Sequence, residues 1–504
     1  MTEVLIVGAG PAGLLLAAEL RLAGVDTVVI ERHSRRPDFC RSFTLNARSL
    51  DLLARRGLAE RLIGEGWQAP HAPYAGLPVT LGLAGTHTDH PYTLGIPQTR
   101  VEELLEAHAL DLGADIRRGH ELRTLDQDDE AVDATVTTQD GEYRIRAAYL
   151  VGCDGGRSTV RKQAGIDFPG TEATRFTLLG DVELAEPETL PYGMTAGPGG
   201  TVFVIPRPGY VRIVTADPRP PVDKDTPVTL DLLEAAVEQA LGRRVELRAA
   251  RWLTRFGDAA RQADRYVRDR VILAGDAAHI HPPAGAIGIN VALDDAFNLG
   301  WKLAAVVRRT APADLLDSYH HERHAAGAHV LANTRAQALL AEADDRLEPL
   351  TDLLTRVAGH PDGNRAFTEI VTGLDTRYDM HADPTHPWLG RLAPNLPLAT
   401  ENGDTDVVEL LATGRGLLIN LTGGSAVPEA ASAWADRLDI VDARCPDQPG
   451  LRAMLVRPDG HAAWVQTVEH GDTDGLRQAL RHWYGPSARP GPLPVPGPAT
   501  IGGR

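Results

Sequence analysis

The segment TEVLIVGAGPAGLLLAAELRLAGVDTVVIER, Thr2 to Arg32, decides the fold of the amino-terminal part of the chain. Val4 to Val7 is a short apolar run of the kind buried in a parallel sheet, Leu14 to Leu22 has helical character, and Thr27 to Ile30 is a second β-run. The segment therefore predicts a strand, a glycine turn, a helix and a second strand, which is the start of a Rossmann-like α/β unit.

Three glycines in this segment, Gly8, Gly10 and Gly13, have the spacing of a dinucleotide-binding turn. The first permits a tight turn, the second lets a pyrophosphate approach the backbone, and the third lets helix and strand pack closely. The helix offers free N–H groups to the phosphates, and Glu31, about twenty residues on, can accept a hydrogen bond from a ribose hydroxyl. We therefore predict a bound dinucleotide, the alternative being a plain βαβ unit without ligand. The turn alone does not distinguish NAD from FAD.

The composition limits the class of protein. A chain of 504 residues exceeds one ordinary domain, and 43% apolar with 24% charged residues is typical of a globular protein. The net charge of −17 works against binding to nucleic acid or to an anionic membrane surface. The three cysteines form no Cys-x-x-Cys pair, and the first residues contain neither a signal peptide nor a transmembrane span. We expect a cytoplasmic protein of two or three domains.

Two further motifs place a turn after an apolar strand. YLVGCDGGRSTVRKQAGI, residues 149–166, contains Asp154-Gly155, and VILAGDAAHIHPP, residues 271–283, contains Gly275-Asp276. Alone, the first is equally typical of a strand-to-helix connection with solvated arginines. Together with the glycine turn, the motifs resemble those of the FAD-dependent aromatic hydroxylases, the single-component monooxygenases that include p-hydroxybenzoate hydroxylase and the polyketide hydroxylases.

The resemblance extends to roughly residue 485. RSFTLNARSLDLL, residues 41–53, resembles the family segment whose first arginine reaches toward FAD, and IPQTRVEELL, residues 96–105, the segment whose glutamine contacts it. LDDAFNLGWKLAAV, residues 293–306, and SYHHERH, residues 318–324, resemble the family's long helix and the helix after it. No second Gly-x-Gly-x-x-Gly follows a strand, which favours a family whose NADPH binds transiently over flavoproteins with two dinucleotide domains.

The resemblance implies specific partners. In the family the glycine turn holds the FAD pyrophosphate, the Asp-Gly motif serves FAD and NADPH, and the Gly-Asp motif places its aspartate on the ribityl chain. FAD is therefore the expected cofactor, NADPH or NADH the transient electron donor, and an aromatic molecule and O₂ the co-substrates, while a homodimer is left open. The residues expected to contact FAD are Gly8, Gly10, Pro11, Ala12, Gly13, Glu31, Arg32, Arg41, Gln98, Asp154, Gly155, Asp276, Pro283, Gly288, Ile289 and Asn290.

The activity that the resemblance implies is hydroxylation of an aromatic, polycyclic polyketide-like substrate. NAD(P)H reduces the flavin, O₂ adds at its C4a carbon, and the distal oxygen of the hydroperoxyflavin is transferred to an activated ring carbon. Because the cofactor carries the chemistry, no acid or base is nominated, and the protein orients the flavin and excludes water. Two alternatives stay open, a Baeyer–Villiger insertion on the same scaffold and a protein that binds FAD without turnover in a biosynthetic complex.

The motifs divide the chain into predicted units. Residues 1–175 and 270–389 are the two segments of the α/β FAD-binding domain, and residues 176–269 between them are an antiparallel sheet that covers the substrate. Its predicted strands are TLLGDVEL, GTVFVIP, GYVRIVTA and VELRAARWLTRF. The sequence does not assign which of its large or charged side chains faces the ligand, the candidates being Phe203, Ile205, Arg212 and Trp252.

The last third resembles the thioredoxin-like domain that ends the polyketide branch. Gly390–Leu398 is predicted as a linker into this domain, residues 390–485, whose strands are GRGLLINL, LDIVDAR and AMLVRPDGHAAWVQ. Cys445 is its one cysteine, so the domain is expected to be redox-inactive. Residues 486–504 are rich in proline and glycine and are predicted to be disordered.

Two histidine pairs are alternative candidates for a metal site. His279 and His281 lie two residues apart, and His320 and His324 lie one helical turn apart. No carboxylate or further histidine stands at ligand spacing from the first pair, and the second matches an ordinary helix of the family, so we expect no metal. A hydrolase is disfavoured because the chain has no Gly-x-Ser-x-Gly motif.

The segment GDAAHIHPPAGAIGIN, Gly275 to Asn290, is interpreted as the loop beside the flavin, followed by a helix whose N–H groups stabilise negative charge on the N1–C2=O edge. The residues expected beside the ring are Pro283, Gly285, Ile287 and Gly288. The polyketide branch usually has Gly and Gln where this chain has Ala286 and Ile287, and Gln where it has Asp294. Our hypothesis is that these departures alter flavin mobility or the reaction outcome.

Overall fold

The amino-terminal segment folds as its pattern predicts. In the computed structural model of the chain, Thr2–Val7 and Thr27–Glu31 are parallel neighbouring strands joined by the helix Pro11–Leu22. Both strands are buried almost throughout, because helices and loops cover the sheet on both faces. The structure describes residues 1–487 apart from 75, 208, 219–225, 342–344, 382–385 and 471.

The first part of the chain supplies most of an α/β sheet. In chain order its elements are β1 Thr2–Val7, α1 Pro11–Leu22, β2 Thr27–Glu31, β3 Thr44–Leu45, α2 Ala47–Ala54, α3 Ala59–Glu65, β4 Trp67–Ala69, β5 His71–Pro73, β6 Thr80–Gly82, β7 Thr93–Gly95, α4 Gln98–Asp111, β8 Asp115–Arg118, β9 Glu121–Gln127, β10 Val132–Thr138, β11 Gly141–Gly152, α5 Thr159–Gln163 and β12 Gly170–Thr171.

The middle part forms an antiparallel sheet. Its elements are β13 Phe176–Leu184, β14 Gly193–Gly197, β15 Gly200–Arg207, β16 Tyr210–Ala216, α6 Leu230–Leu241 and β17 Leu247–Gly257. The four predicted strands are present, in the sheet order β14-β15-β16-β13-β17. Strand β14 and helix α6 were not predicted, although Thr229, which caps α6, and Gly242, at φ +68° after it, are ordinary helix boundary signals.

The chain then returns to the α/β unit. The elements are β18 Ala260–Gln262, β19 Val267–Arg268, β20 Val271–Leu273, β21 His279–Ile280, α7 Gly288–Val307, α8 Leu315–Leu340, α9 Glu348–Ala358 and α10 Pro361–Thr372. Strand β20 pairs in parallel with β11, which pairs in parallel with β1. The carboxyl ends of β1, β11 and β20 therefore lie side by side, and each of the three motifs follows one of these strands.

The carboxyl-terminal unit has its own mixed sheet. Its elements are β22 Pro397–Thr400, β23 Gly403–Asp406, α11 Val407–Leu410, β24 Gly416–Asn420, α12 Ala426–Ala431, β25 Leu438–Arg444, β26 Leu451–Val456, β27 Ala462–Thr467 and α13 Thr473–Tyr484. The strand order is β23-β22-β25-β24-β26-β27, and β24 and β25 are parallel. The segment predicted as one strand from Ala453 to Gln466 is two strands around a turn. The likeness to thioredoxin stays a prediction.

The segment predicted as a linker is packed rather than free. Within Gly390–Leu398, Ala393 and Leu396 are buried, and the backbone oxygen of Ala393 accepts a hydrogen bond from Arg55 of the amino-terminal part, 2.6 Å away. One hydrophobic core joins the first and last elements, since Trp483 of α13 lies 6.4 Å from Trp301 of α7 between ring centroids. The carboxyl-terminal unit is therefore docked on the α/β unit.

Two expectations remain, a disordered tail and the absence of a membrane-spanning helix. Most of the predicted disordered tail, residues 488–504, lies outside the described residues. Among the helices that the structure describes, none combines the length and the apolar character needed to cross a membrane.

Candidate functional site

Gly8 and Gly13 allow the first helix to start close to the strand ends. Gly8 has φ +109°, and a Cβ added there would lie 2.3 Å from the backbone oxygen of Cys153 at the end of β11. A Cβ on Gly13 would lie 2.0 Å from the backbone oxygen of Gly8. Both positions therefore require glycine because backbone, which cannot rotate away, occupies the space of a side chain.

Gly10 has a different surrounding. It is the residue before α1, in extended conformation at φ −82°, and a Cβ added there would meet no described atom within 4 Å. Pro11 begins the helix without an N–H, and the next N–H groups, of Ala12 and Gly13, have no partner within the first helical turn. Free N–H groups at a helix start beside open space form a cradle that fits a pyrophosphate.

Glu31, at the end of β2, faces this turn. Its Oε2 accepts a hydrogen bond from the backbone N–H of Ala9 at 3.0 Å, and its Oε1 accepts one from His33 at 2.9 Å. A carboxylate has about four lone-pair sites, so this one can also accept a ribose hydroxyl. Arg32 beside it is exposed.

Asp154 closes the turn after β11. Its carboxylate accepts hydrogen bonds from the Ser158 hydroxyl at 2.5 Å and from the backbone N–H groups of Thr159 and Val160 at 2.6 and 3.1 Å, which caps α5. Gly155 follows with φ +82°. The aspartate thus fixes the shape of the turn, while contact of either residue with a cofactor stays a prediction.

Arg161 links two of the motifs, and sequence reasoning missed this role. Its guanidinium, 4% exposed, donates to the backbone oxygens of Ala277 at 2.7 Å and Gly156 at 2.9 Å. A solvated arginine after the Asp-Gly turn is only one of the two interpretations that the motif allows when taken alone. Its partner at position 277 lies more than a hundred residues away, so no local pattern could indicate the contact.

Helix α7 supports the Gly-Asp turn through a hydrogen bond to its backbone. Gly275 to Ala277 form one turn of 3₁₀ helix, in which Asp276 is exposed between two buried neighbours. The backbone N–H of Gly275 donates to Asp295 on α7 at 2.9 Å. The carboxylate of Asp276 is therefore presented outward on a fixed backbone, as a ligand to a bound hydroxyl would be.

The loop before α7 combines exposed and buried positions. Pro283 and Gly285 are exposed, whereas Ile287 is 6% exposed and lies against Gly285, whose added Cβ would be 3.2 Å from its Cγ1. Gly285 and Ala286 both have positive φ, +71° and +54°. Ile287 thus packs into the loop and does not project from it.

The start of α7 is free of side-chain caps. Its first residue is Gly288, preceded by Ile287 without a capping hydrogen bond, and Ile289 is buried. The side chain of Asn290 crosses to the segment before α2, accepting from the backbone N–H of Asn46 at 2.8 Å. Asn290 could therefore bind a cofactor through its backbone, while its side chain ties the loop to its neighbour.

Two other residues predicted to contact the cofactor, Gln98 and Arg41, lie outside the three motifs. Nε2 of Gln98, at the start of α4, donates to Glu102 at 2.8 Å. Since a carboxylate can only accept, this contact orients the amide so that its oxygen remains available for a donor such as a hydroxyl. Arg41 is exposed, with its guanidinium carbon 5.8 Å from the ring centre of Phe39.

The histidine pairs have other partners than a metal. His279 is buried and donates from Nε2 to Asp295 at 2.7 Å, and His281 lies with Nδ1 2.8 Å from the oxygen of Pro282. His320 and His324 are half-buried against the ring of Tyr266. Within the described ranges, no group of three or more possible ligands is placed to hold a metal ion.

The register of the middle sheet shows on which face each of the four candidate side chains lies, which the sequence does not assign. Phe203 is opposite Val214, Ile205 is opposite Arg212, and Asp181 is opposite both Arg212 and Trp252, so all four candidates lie on one face. Helix α6 covers the other face, where Val202, Ile213 and Leu233 share a core.

At one end, the face without the helix touches Phe39 and Cys40, just before Arg41. Arg212 donates to Asp181 at 2.7 and 2.8 Å and to the backbone oxygen of Cys40 at 2.5 Å, and the ring of Trp252 stacks on Phe39 at 4.6 Å. Farther along, Phe203 is 39% and Met194 66% exposed. This face thus contacts the segment before β3 at one end and carries an apolar, partly exposed surface farther along.

The comparisons with known proteins agree with this arrangement. A sequence model of the FAD binding domain matches residues 1–334, and one described as the aromatic-ring hydroxylase carboxyl-terminal region matches residues 386–487. The chain belongs to the FAD-dependent aromatic-ring hydroxylases. The predicted family, its mixed α/β fold and its FAD cofactor, with NAD(P)H as electron donor, are confirmed.

Individual members of this hydroxylase family match along nearly the whole chain. A 12-dehydrotetracycline 5-monooxygenase/anhydrotetracycline 6-monooxygenase of Streptomyces rimosus is 43% identical, with 96% of this chain and 99% of the relative covered. A rifampicin monooxygenase of Streptomyces venezuelae is 41% identical over 96% and 99%. The solved structure of an anhydrotetracycline hydroxylase from Streptomyces rimosus superposes with a TM-score of 0.91 at 44% identity, covering 97% and 100%. The chain is accordingly a flavin-dependent monooxygenase.

Proposed function

We propose that this monooxygenase hydroxylates a planar, polycyclic aromatic substrate of the polyketide kind, with NAD(P)H and O₂ as co-substrates. The observation that carries the proposal is the match, over nearly the full length of both chains, to a monooxygenase named for anhydrotetracycline. The face of the middle sheet that α6 leaves uncovered supports it, because Phe203 and Met194 on that face are exposed and the five neighbouring strands span about 19 Å, the width of several fused rings.

The FAD site in this proposal is built from the three motifs. The cradle at Gly10 receives the pyrophosphate, Glu31 the ribose, and Asp276 the ribityl chain. The exposed Pro283 and the N–H groups at the start of α7 adjoin the ring, where the positive end of the helix favours negative charge. When bound, FAD supplies the oxygen-activating chemistry. The chain orients it and keeps water from the reacting atoms.

The substrate surface in this proposal is the row Leu179, Val214, Phe203 and Met194. Successive members are paired across neighbouring strands, so their side chains form a continuous apolar strip. Beside the strip, the buried Arg212–Asp181 pair fixes the end that contacts Cys40. An aromatic ring system can lie flat on such a strip, with its plane against Phe203.

The first experiment asks for cofactor and turnover. The purified protein is expected to show a flavin absorbance band and to oxidise NADPH or NADH faster when anhydrotetracycline, the probe, is added than with a single-ring phenol. NMR of the product distinguishes a new phenol or alcohol carbon from the lactone carbon of a Baeyer–Villiger insertion. Bound FAD that neither donor reduces with any polycyclic probe would instead support the FAD-binding scaffold.

A pair of variants on neighbouring residues tests the substrate strip. Phe203→Ala is expected to raise KM for the polycyclic probe by about tenfold, since loss of a stacked ring costs about 1–2 kcal/mol, with FAD affinity unchanged. Val202→Ala, which points to α6, should lower thermal stability and leave KM unchanged. Equal KM values for the two variants would place the substrate elsewhere.

A further inference from the structure

A chain of buried charged groups begins at the Gly-Asp turn. Asp295 on α7 accepts from Gly275 N–H at 2.9 Å and from His279 at 2.7 Å with one oxygen, and from Arg323 of α8 at 2.7 Å with the other. Although burial raises its pKa, His279 and Arg323 bring the pKa of Asp295 down to about 2. The carboxylate is therefore charged at neutral pH and is a direct support of the turn that carries Asp276.

Asp294, the residue before Asp295, continues this series of charged contacts away from the turn. Asp294 accepts from Arg323 at 2.8 Å and from Arg48 of α2 at 3.0 and 3.1 Å. Arg48 in turn directs Nη2 to Nε2 of His461, 3.1 Å away, in the turn between β26 and β27. Five contacts thus connect a histidine of the carboxyl-terminal unit to the backbone of the cofactor turn, by way of Arg48, Asp294, Arg323 and Asp295.

The protonation of His461 follows from its neighbour. A guanidinium can only donate, so Nε2 must accept, and the ring proton is on Nδ1, which lies 3.1 Å from Asp459. Burial lowers the pKa of His461 despite the opposing effect of Asp459. Neutral His461 therefore accepts from Arg48, while its Nδ1 lies near Asp459 without a hydrogen-bond partner among the described residues.

A second branch ties the same turn back to α7 and α8. Arg457 pairs with Asp459 at 2.5 Å and with Glu322 of α8 at 2.6 Å, and Glu322 pairs with Lys302 of α7 at 2.7 Å. Four cations and four carboxylates make up the two branches, and none is more than 8% exposed. These are Arg48, Lys302, Arg323, Arg457, Asp294, Asp295, Glu322 and Asp459.

The balance of this cluster makes its members depend on one another. A buried charge that loses a partner has no water to replace it, so the remaining groups must rearrange. If Arg48 loses His461 as an acceptor, the guanidinium of Arg48 can move, and its hydrogen bonds to Asp294 change with it. Arg323 is shared by Asp294 and Asp295, so a shift at Asp294 changes the position of the group that supports Gly275.

We propose that the carboxyl-terminal unit holds the FAD-binding turn in place through this chain, with His461 and Asp294 as positioning residues for the cofactor. The inference rests on the proposed placement of FAD at the turn that carries Asp276. It gives the carboxyl-terminal unit a role in cofactor retention that needs no cysteine pair. It also gives Asp294 a structural partner set, Arg48 and Arg323.

The test compares FAD affinity in variants of the complete chain. His461→Leu and Asp294→Asn are each expected to raise the Kd for FAD, measured by flavin fluorescence, by about tenfold, and the double variant by little more than either, as for coupled residues. His461→Gln keeps an acceptor toward Arg48 and should recover most of the affinity. The visible circular dichroism of bound FAD should change in the first two variants and recover in the third.

A matched control separates positioning from general stability. Arg415→Met removes the pair with Asp439, 2.7 Å apart in the same unit but outside the cluster, and should lower the melting temperature without changing Kd. If His461→Leu does not fold, Arg48→Lys, which keeps the charge but cannot bridge both partners, serves in its place with the same expected rise.

Three outcomes overturn the inference. They are an unchanged Kd in His461→Leu, an equal rise in Arg415→Met, and additive effects in the double variant. Failure of the proposed FAD placement has a different signature, since it predicts that the wild-type protein binds no FAD or that Asp276→Ala binds it as tightly as wild type.

Discussion

Replacing single glycines of the first turn by alanine should separate the effect on folding stability from the effect on FAD binding. Gly13→Ala places a Cβ 2.0 Å from the backbone oxygen of Gly8, so α1 must move by about 1 Å or more. We expect a loss of about 1–3 kcal/mol in the free energy of unfolding, reduced by the about 0.4–1 kcal/mol that alanine gains over glycine through the unfolded chain.

Gly10→Ala should behave oppositely. The backbone there, at φ −82°, suits alanine, and the Cβ enters space that is open in the described structure. The free energy of unfolding without FAD should change by less than about 1 kcal/mol, because the small loss at a helix cap and the gain in the unfolded chain offset each other. The Cβ would stand where the pyrophosphate approaches, and losing a hydrogen bond to a charged group costs about 1.5–3 kcal/mol, a rise in Kd of about 10- to 150-fold.

The assay measures both quantities on both variants. Urea unfolding of flavin-free protein gives the stability, and fluorescence titration with FAD gives Kd. If Gly10→Ala binds FAD like wild type, the phosphates lie elsewhere. If Gly13→Ala is as stable as wild type, the close approach of α1 to Gly8 is not required.

Two further predictions concern buried charges. Arg212→Met leaves Asp181 buried without its cation and should lower the free energy of unfolding by about 3–5 kcal/mol, measured by urea melts, whereas the double variant that also has Asp181→Leu should recover much of the loss. On acidification, Asp295 has a native pKa of about 2 against about 3.9 unfolded, so it contributes about 2–3 kcal/mol above pH 4 that is lost as pH falls toward 2. The Asp295→Asn variant should therefore show a flatter fall in stability between pH 4 and 2, and equal slopes would contradict this assignment.

The parts of the fold that sequence predicted are those with local causes. The strand, turn and helix around Gly8 to Gly13 follow from apolar period and from glycines whose neighbours are close along the chain. Helix α6 was missed although Thr229 and Gly242 mark its ends, because the surrounding strands dominated the interpretation of that region.

The parts of the site that sequence missed depend on long-range pairing. An alternating strand has two faces, and nothing in GTVFVIP says which of them α6 will cover, so the orientation of Phe203 needed the sheet register. Arg161 and His461 acquire their roles from partners far along the chain. Asp294 departs from the family pattern in the sequence itself, but its partner Arg48 cannot be identified without the packing of α2 on α7.

The shared core of the first and last elements has a consequence for synthesis. Trp301 packs on Trp483 and Tyr484, which are translated about 180 residues later, so at about 5–20 residues per second α7 waits about 10–40 seconds for its partner. During that interval the surface of α7 around Trp301 lacks its packing partner, although α7 can already pack on α1. A nascent chain of this length is therefore expected to depend on chaperones, and premature termination within the last helix should yield aggregated rather than merely inactive protein.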